Sequence, residues 1–216
     1  SSDQRYVQPA FVSPNVLRLY LRTSTGWKIF EVDAKTRGVI QTGETASSEP
    51  PSGPVVLDAD ASHMLVRGYK SQHGTLDDAR TGALIAPVGS GPIAAARFLR
   101  DGRVVYIDGP NSHRALHVLS KGTLPERSVP IGAARFPRII GDDGKRVVVE
   151  NDEEILAIGL DGSAIERHER AIGVMATASG GRTAQEPLRE VFYVDENNHV
   201  VAWNPSNGAK KMVTGG

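Results

Sequence analysis

Cysteine is absent from the 216 residues of this chain, which excludes disulfide bonds, thiolate metal sites and a cysteine nucleophile. A chain without cysteine suits both the cytoplasm and a bacterial periplasm or cell envelope, so its composition leaves the compartment open between these two. No apolar run reaches the length of about 18 residues that a membrane-spanning helix needs, and we expect no membrane insertion.

An excess of charge of either sign is also lacking, because 25 lysines and arginines balance 25 aspartates and glutamates. The chain therefore has no overall basic footprint of the kind that attracts phosphate backbones, and nucleic acid is not an expected partner. Long helical patterns are missing as well. Turn-forming residues are abundant, with 23 glycines and 13 prolines, and they favour strands over helices.

A glycine that precedes an apolar stretch recurs along the chain. Gly53, Gly91, Gly132 and Gly173 follow one another at intervals of 38, 41 and 41 residues. The four-stranded blades of β-propellers repeat about every 40–45 residues. We therefore predict an all-β fold, a β-propeller of about five four-stranded antiparallel blades, either closed by itself or part of a larger ring. The blades are predicted at residues 1–52, 53–90, 91–131, 132–172 and 173–216 of a single domain.

Each predicted blade contains short segments rich in β-branched and aromatic residues, as strands require. The predicted second strands are residues 17–21, 63–66, 103–107, 146–149 and 191–194, and the predicted third strands are 27–32, 115–119, 155–158 and 199–203. Asp-Gly pairs at 101–102 and 143–144 precede two second strands and indicate tight hairpins. The order of strands predicts simple antiparallel meanders.

A turn with an Asp or Asn at its start and a glycine at its end follows the third strands. It occurs at residues 33–38, 78–82 and 204–208, and in shorter form at 120–122 and 161–162. The Asp or Asn side chain can accept hydrogen bonds from the backbone two residues on, and the glycine can adopt the left-handed conformation. Five such turns at one point of the unit support the repeat.

The Asp-Gly-Arg or Asp-Gly-Lys turns and the Asp-x-x-Thr-Gly turn resemble those of bacterial WD-like and Tol-system-type propeller repeats, and also quinoprotein-type repeats. The resemblance covers nearly the whole chain and implies architecture rather than an activity. The Gly-His and Trp-Asp dipeptides of true WD repeats are absent, as is a regular tryptophan in each blade. We therefore expect no quinone and no other cofactor.

Two arginines are the candidate ligand-binding residues. The sequence Ala-Ala-Arg-Phe occurs at residues 95–98 and again at 133–136, so Arg97 and Arg135 are both predicted in first strands, which line the channel of a propeller. Two guanidinium groups there could clamp a carboxylate or phosphate. The competing interpretation is that they pair with acidic side chains of neighbouring blades.

Other polar residues favour structural interpretations. The six histidines lack the paired spacing of zinc ligands and are interpreted as exposed or edge-strand residues, so no metal site is predicted. Asp58 and Asp60 are expected to serve a turn, the acidic run 151–154 to form a solvated loop, and residues 179–181 a flexible turn. Trp27 and Trp203 are expected to pack in the core. No catalytic residue is predicted.

The leading functional hypothesis is a non-catalytic binding or scaffolding module, a sensor or docking domain of a larger bacterial protein. A protein partner or a small anionic ligand is the expected binding partner. The alternative is a hydrolase of the glycosidase type, or a propeller that gates one. A homodimer, or association with missing blades, is a third possibility. The chain begins with Ser1 and has no signal-like segment, so we expect a processed piece of a longer protein.

Overall fold

The computed structural model describes residues 6–46, 53–68, 73–119, 125–152, 154–161, 165–170, 173–179 and 187–213. The regular elements of these residues are β-strands, which form five four-stranded antiparallel sheets. This part of the chain has no helix with the length and apolar character needed to cross a bilayer. The chain divides into two compact units, the first with sheets 1 and 2 and the second with sheets 3 to 5.

The first unit consists of two meanders in which consecutive strands pair. Sheet 1 comprises β1 (Val7–Ser13), β2 (Val16–Thr23), β3 (Gly26–Asp33) and β4 (Val39–Ala46), and sheet 2 comprises β5 (Val56–Leu57), β6 (His63–Val66), β7 (Gly74–Asp78) and β8 (Leu84–Val88). One face of sheet 1 packs on sheet 2. The buried residues of this core include Tyr20, Trp27, Ile29, Met64 and Val66. Trp27 is therefore a packing residue, as predicted.

The second unit contains three meanders of the same kind. Sheet 3 comprises β9 (Ala95–Phe98), β10 (Val104–Asp108), β11 (Arg114–Leu119) and β12 (Pro125–Gly132). Sheet 4 comprises β13 (Arg138–Asp142), β14 (Arg146–Glu150), β15 (Glu154–Gly159) and β16 (Ile165–Arg170), and sheet 5 comprises β17 (Gly173–Ser179), β18 (Glu190–Val194), β19 (Val200–Trp203) and β20 (Lys210–Met212).

Face-to-face contacts between neighbouring sheets form the cores of the second unit. Aliphatic side chains of sheets 3 and 4, among them Ile107, Leu116, Val147 and Leu156, make one core. Sheets 4 and 5 share another, in which Trp203 is fully buried as predicted. The first strands β9 and β13 also contact each other. Successive side chains of a strand point to opposite faces, so Val147 and Val149 contribute to the first of these cores and Val148 to the second.

The turns after the third strands have the predicted chemistry. Asp33, Asp78 and Asn204 each accept hydrogen bonds from backbone N–H groups two or three residues on. Gly82 and Gly208 adopt positive φ, as expected. In the first turn, however, Arg37 holds the left-handed position with φ of 57°, and Gly38 does not. The shorter turns predicted at 120–122 and 161–162 lie wholly or partly outside the described residues.

The prediction that residues 133–136 belong to a first strand is wrong. Strand β12 continues to Gly132, and β13 begins only at Arg138. Between them the backbone N–H of Ala134 donates to Asn111 O at 2.8 Å, and that of Arg135 donates to the Asp152 carboxylate at 2.8 and 2.9 Å. These bonds hold the segment as a loop, and the proline that precedes β13 has no N–H for a strand ladder.

Candidate binding surfaces

The two candidate arginines lie in different environments. Arg97 lies on β9 and is half-buried, whereas the side chain of Arg135 is exposed in the loop before β13 and lies over the ring of Phe136 at 5.6 Å. Burial lowers the pKa of Arg97, and the negative charge of Asp142 on β13 opposes this. The two guanidinium groups are therefore not at equivalent positions of neighbouring first strands. Ligand binding by either residue stays a prediction.

Turns at one end of sheets 3 and 4 line a cavity of about 420 Å³ that is open to solvent. Its lining residues are Arg103, Gly144, Lys145, Arg146, Leu160 and Asp161. They come from the β9–β10 turn, the β13–β14 turn and the residues after β15, three connections that an antiparallel meander brings to the same end. The volume lies within the range of about 300–1,000 Å³ that is common for small-molecule sites.

Carboxylates hold the cavity's arginines in place. Arg103 Nε donates to Asp101 Oδ2 at 2.8 Å, and Arg103 Nη1 donates to Leu160 O at 3.2 Å. Partial burial raises the pKa of Asp101, but hydrogen bonds from Arg103 outweigh burial and leave the pKa below its usual value. Arg146 Nη1 lies 3.3 Å from Asp143 Oδ2. Both guanidinium groups are thus fixed in position before any ligand arrives.

The turn glycines explain why these sequences form the cavity wall. Gly102 and Gly144 have φ of 83° and 89°, which the Asp-Gly pairs predict. The carboxylate of Asp143 accepts the backbone N–H groups of Lys145 and Arg146 at 2.9 and 2.7 Å, so the turn is rigid. Sequence analysis identified the turns but not the cavity between them, because the cavity depends on how two sheets pack.

Sequence analysis also did not predict a cluster of His117, Asp108 and Tyr106 in sheet 3. His117 Nε2 lies 2.6 Å from Asp108 Oδ1, and the imidazole stacks on Tyr106 with ring centroids 4.8 Å apart. His117 lies on the interior strand β11 and its side chain is 16% exposed, so its interpretation as an exposed or edge-strand residue is wrong. Cross-strand pairing of Tyr106 with His117 places both on one face of the sheet. The cluster fixes side chains within sheet 3.

Ser62, His63 and Asp58 have the residue types of a hydrolytic triad but not its geometry. Both Ser62 Oγ and Asp58 Oδ2 lie 2.7 Å from the same ring nitrogen, His63 Nδ1, and Ser62 Oγ donates to Asp58 Oδ2 at 2.8 Å. In a catalytic triad the serine and the carboxylate bond opposite nitrogens of the imidazole. Asp58 instead accepts the backbone N–H groups of Ser62 and His63, which confirms its predicted role in a turn.

Side chains of the acidic run 151–154, which follows β14, form hydrogen bonds that hold neighbouring segments in place. Asn151 is buried rather than solvated, and its Nδ2 donates to Ile131 O at 3.0 Å. Asp152 holds the loop that carries Arg135. Glu153, residues 180–181 of the predicted flexible turn and the side chain of His168 lie outside the described residues. Within the described ranges, no group of three or more His, Asp or Glu side chains is arranged to hold a metal ion.

One face of sheet 1 is apolar, and within the described residues of the first unit no sheet packs on it. Cross-strand pairs place Phe11, Leu17, Val32 and Val39 in one row across the four strands. Parallel rows on the same side contain Leu19 and Phe30, and Val7 and Leu21. We call these eight side chains the uncovered face of sheet 1.

Exposure distinguishes this face from the opposite one. Tyr20, Trp27 and Ile29 on the opposite face are at most 1% exposed, whereas Phe11 is 82% and Val39 is 60% exposed on the uncovered face. The leucines and Phe30 of the uncovered face are only half-buried. Lys28 and Glu44 pair across β3 and β4 at one end of it and supply a polar rim. An apolar centre with a polar rim is typical of a protein interface.

Comparison with known proteins identifies the fold. No family model matches the chain, and no curated protein matches it either. Among solved structures, Sqt1 of Chaetomium thermophilum bound to the N-terminus of the ribosomal protein L10 has 14% identity and a TM-score of 0.66, with 100% of this chain and 64% of Sqt1 covered. The β-propeller domain of Cps50 (Swd1) from Myceliophteria thermophila has 12% identity and a TM-score of 0.52, with 100% and 89% covered.

An enzyme is also among the similar structures. The dihydro-heme d1 dehydrogenase NirN, in complex with DHE, has 16% identity and a TM-score of 0.64, with 99% of this chain and 48% of NirN covered. This chain thus spans less than two-thirds of the length of Sqt1 and about half that of NirN. Together with the five sheets, these similarities confirm the predicted class, an all-β fold of the β-propeller type with about five four-stranded blades.

Proposed function

We propose that this chain is a non-catalytic docking module of a larger bacterial protein, a single propeller domain that binds a partner protein. The observation that carries the proposal is the uncovered face of sheet 1, where Phe11 and Val39 are exposed beside half-buried leucines. Burying an exposed side chain of this size contributes about 1.5–3 kcal/mol, so a partner that covers the row gains considerable binding free energy.

The occupant that fits this face is a β-sheet of another polypeptide. The opposite face of sheet 1 is already covered in this way, since sheet 2 contributes Met64 and Val66 to the shared core and the residue before it contributes Val55. Twisted sheets of alternating apolar side chains pack on one another about 10 Å apart, and the uncovered face has the same alternation. Sqt1, with a similar fold, binds the N-terminus of a ribosomal protein, so this architecture supports protein recognition.

Site-specific photo-crosslinking tests the proposal. A benzophenone amino acid replaces Phe11 in the full chain expressed in its own cells, and a matched control carries it in place of Phe136, which is 76% exposed but lies in a loop of the second unit. We expect one specific adduct from position 11 and none from position 136. The adduct partner is then purified and titrated against the wild type, Phe11→Asp and Phe136→Asp.

We expect Phe11→Asp to weaken binding at least about tenfold, because it places a charge where an apolar ring is buried. Phe136→Asp should bind as the wild type does. Absence of an adduct at position 11, or an affinity that Phe11→Asp leaves unchanged, contradicts the proposal. An adduct with a second copy of the same chain also contradicts it, because the face would then serve self-association.

A further inference from the structure

The cavity at the turn end of sheets 3 and 4 presents unused hydrogen-bond donors. A guanidinium group has five N–H groups, and within the described residues Arg103 uses three of them, on Asp101 and on Leu160 O. Two remain for a ligand. The ammonium group of Lys145 forms no ion pair or hydrogen bond with any residue in the described ranges, and its side chain is exposed.

These donors converge on one volume from two sheets. Arg103 enters from the β9–β10 turn, and Lys145 with Arg146 from the β13–β14 turn. The hydrogen bond from Leu160 N to Lys145 O at 2.8 Å ties the third connection to the same wall. The planar guanidinium group of Arg103 and the ammonium group of Lys145 can both donate hydrogen bonds to the oxygen atoms of one oxyanion.

The surrounding carboxylates limit the charge of the ligand. Three cations and Asp161 line the cavity, while Asp101 and Asp143 lie behind the two arginines. The three carboxylates offset the charge of the three cations, so these groups have no excess of positive charge to stabilise a dianion such as phosphate. A ligand with one negative charge fits this balance better.

We propose that this cavity is a binding site for the carboxylate group of a small molecule or a peptide terminus, with Lys145 and Arg103 as its direct ligands. Arg146 supplies positive charge beside them, and Leu160, whose side chain is buried in the core of sheets 3 and 4, forms part of the cavity wall. Neither Arg97 nor Arg135 lines this cavity.

Nuclear magnetic resonance titration of the ¹⁵N-labelled full chain tests the site with acetate as the probe. Sodium chloride at equal ionic strength and inorganic phosphate are the comparison titrations. We expect saturable shifts with acetate at the Gly144 and Lys145 amides and at the Arg103 Nε–H. Lys145→Met removes one charge-assisted contact and should weaken acetate binding about tenfold. The matched variant Lys35→Met, at an exposed turn of sheet 1, should bind acetate like the wild type.

Three results would overturn the site. Shifts that chloride reproduces indicate a general salt effect. Equal acetate affinity in Lys145→Met and the wild type removes Lys145 as a ligand. Phosphate that binds more tightly than acetate contradicts the preference for a single charge. Phe11→Asp should leave the acetate titration unchanged, so this site and the proposed docking face fail or succeed separately.

Discussion

A buried aspartate in sheet 2 should make the first unit less stable above about pH 6. Asp77 lies on β7, is 2% exposed, and accepts a hydrogen bond from Thr75 Oγ1 at 3.0 Å. Burial raises the pKa of Asp77 from 3.8 to about 6, although the bond from Thr75 lowers it. The folded chain therefore keeps a proton between about pH 4 and pH 6 that the unfolded chain has already released. The unfolding free energy of the first unit therefore falls as the pH rises from about 4 to about 6.

Replacing Asp77 with Asn removes this titration, and the amide oxygen can still accept the bond from Thr75. A pKa raised to about 6 corresponds to about 3 kcal/mol of unfolding free energy between the two ends of the window. We therefore expect the stability of Asp77→Asn relative to the wild type to increase by up to about 3 kcal/mol from pH 4 to pH 7. Trp27 fluorescence during urea unfolding, in a Trp203→Phe background, reports the first unit.

The neighbouring residue provides the matched control. Partial burial raises the pKa of Asp78, but hydrogen bonds from Thr81 and from the Arg80 backbone lower it, and the net pKa lies below the usual value. The folded state therefore favours the Asp78 carboxylate, so Asp78→Asn should be destabilising at pH 7 and less so as the pH falls through the folded pKa. A relative stability of Asp77→Asn that is flat from pH 4 to pH 7, or lower at pH 7, refutes the reasoning.

The remaining predictions concern the backbone and a buried ion pair, with urea unfolding as the measurement. Arg37→Gly should raise the unfolding free energy by up to about 1 kcal/mol, because it relieves a left-handed residue. Gly82→Ala should lower the unfolding free energy by more than about 1 kcal/mol, because its Cβ would lie 2.4 Å from Glu44 O. Arg18→Met should cost about 3 kcal/mol, because Arg18 is buried and forms a 2.8 Å ion pair with the half-buried Glu31.

An exposed ion pair serves as the control for Arg18→Met. Arg138 Nε lies 2.7 Å from Glu150 Oε2, and its side chain is 59% exposed. Arg138→Met should therefore cost less than about 1 kcal/mol. Equal losses for the two variants would show that burial does not determine the contribution of the pair. A loss of stability in Arg37→Gly would show that the turn tolerates arginine without strain.

Much of the fold could be predicted from local sequence features. The period of the glycines and the Asp-led turns predicted the strands because each hairpin is specified by residues close in sequence, as Gly82 and Gly208 show. The repeated Ala-Ala-Arg-Phe was misleading. Its second copy has Asp152 to bind its backbone N–H groups, a contact between residues about 17 positions apart that no local pattern reveals.

The binding surfaces could not be predicted, because they depend on what packs on each sheet. Strand β2 has Leu17, Leu19 and Leu21 on one side and Arg18 and Tyr20 on the other, an alternation that predicts burial of the leucine side. In the described residues of the first unit, sheet 2 instead covers the Tyr20 side. The cavity likewise required Arg103 and Lys145, which are distant in sequence, to meet across two sheets. Turn chemistry placed each residue, but only sheet packing brought them together.

The most direct test of the docking function is the affinity of the crosslinked and purified partner for the wild type, Phe11→Asp and Phe136→Asp, measured by calorimetry in one buffer. If the uncovered face of sheet 1 binds the partner, Phe11→Asp loses at least about tenfold in affinity and Phe136→Asp loses nothing. Equal affinities for all three proteins would contradict the account.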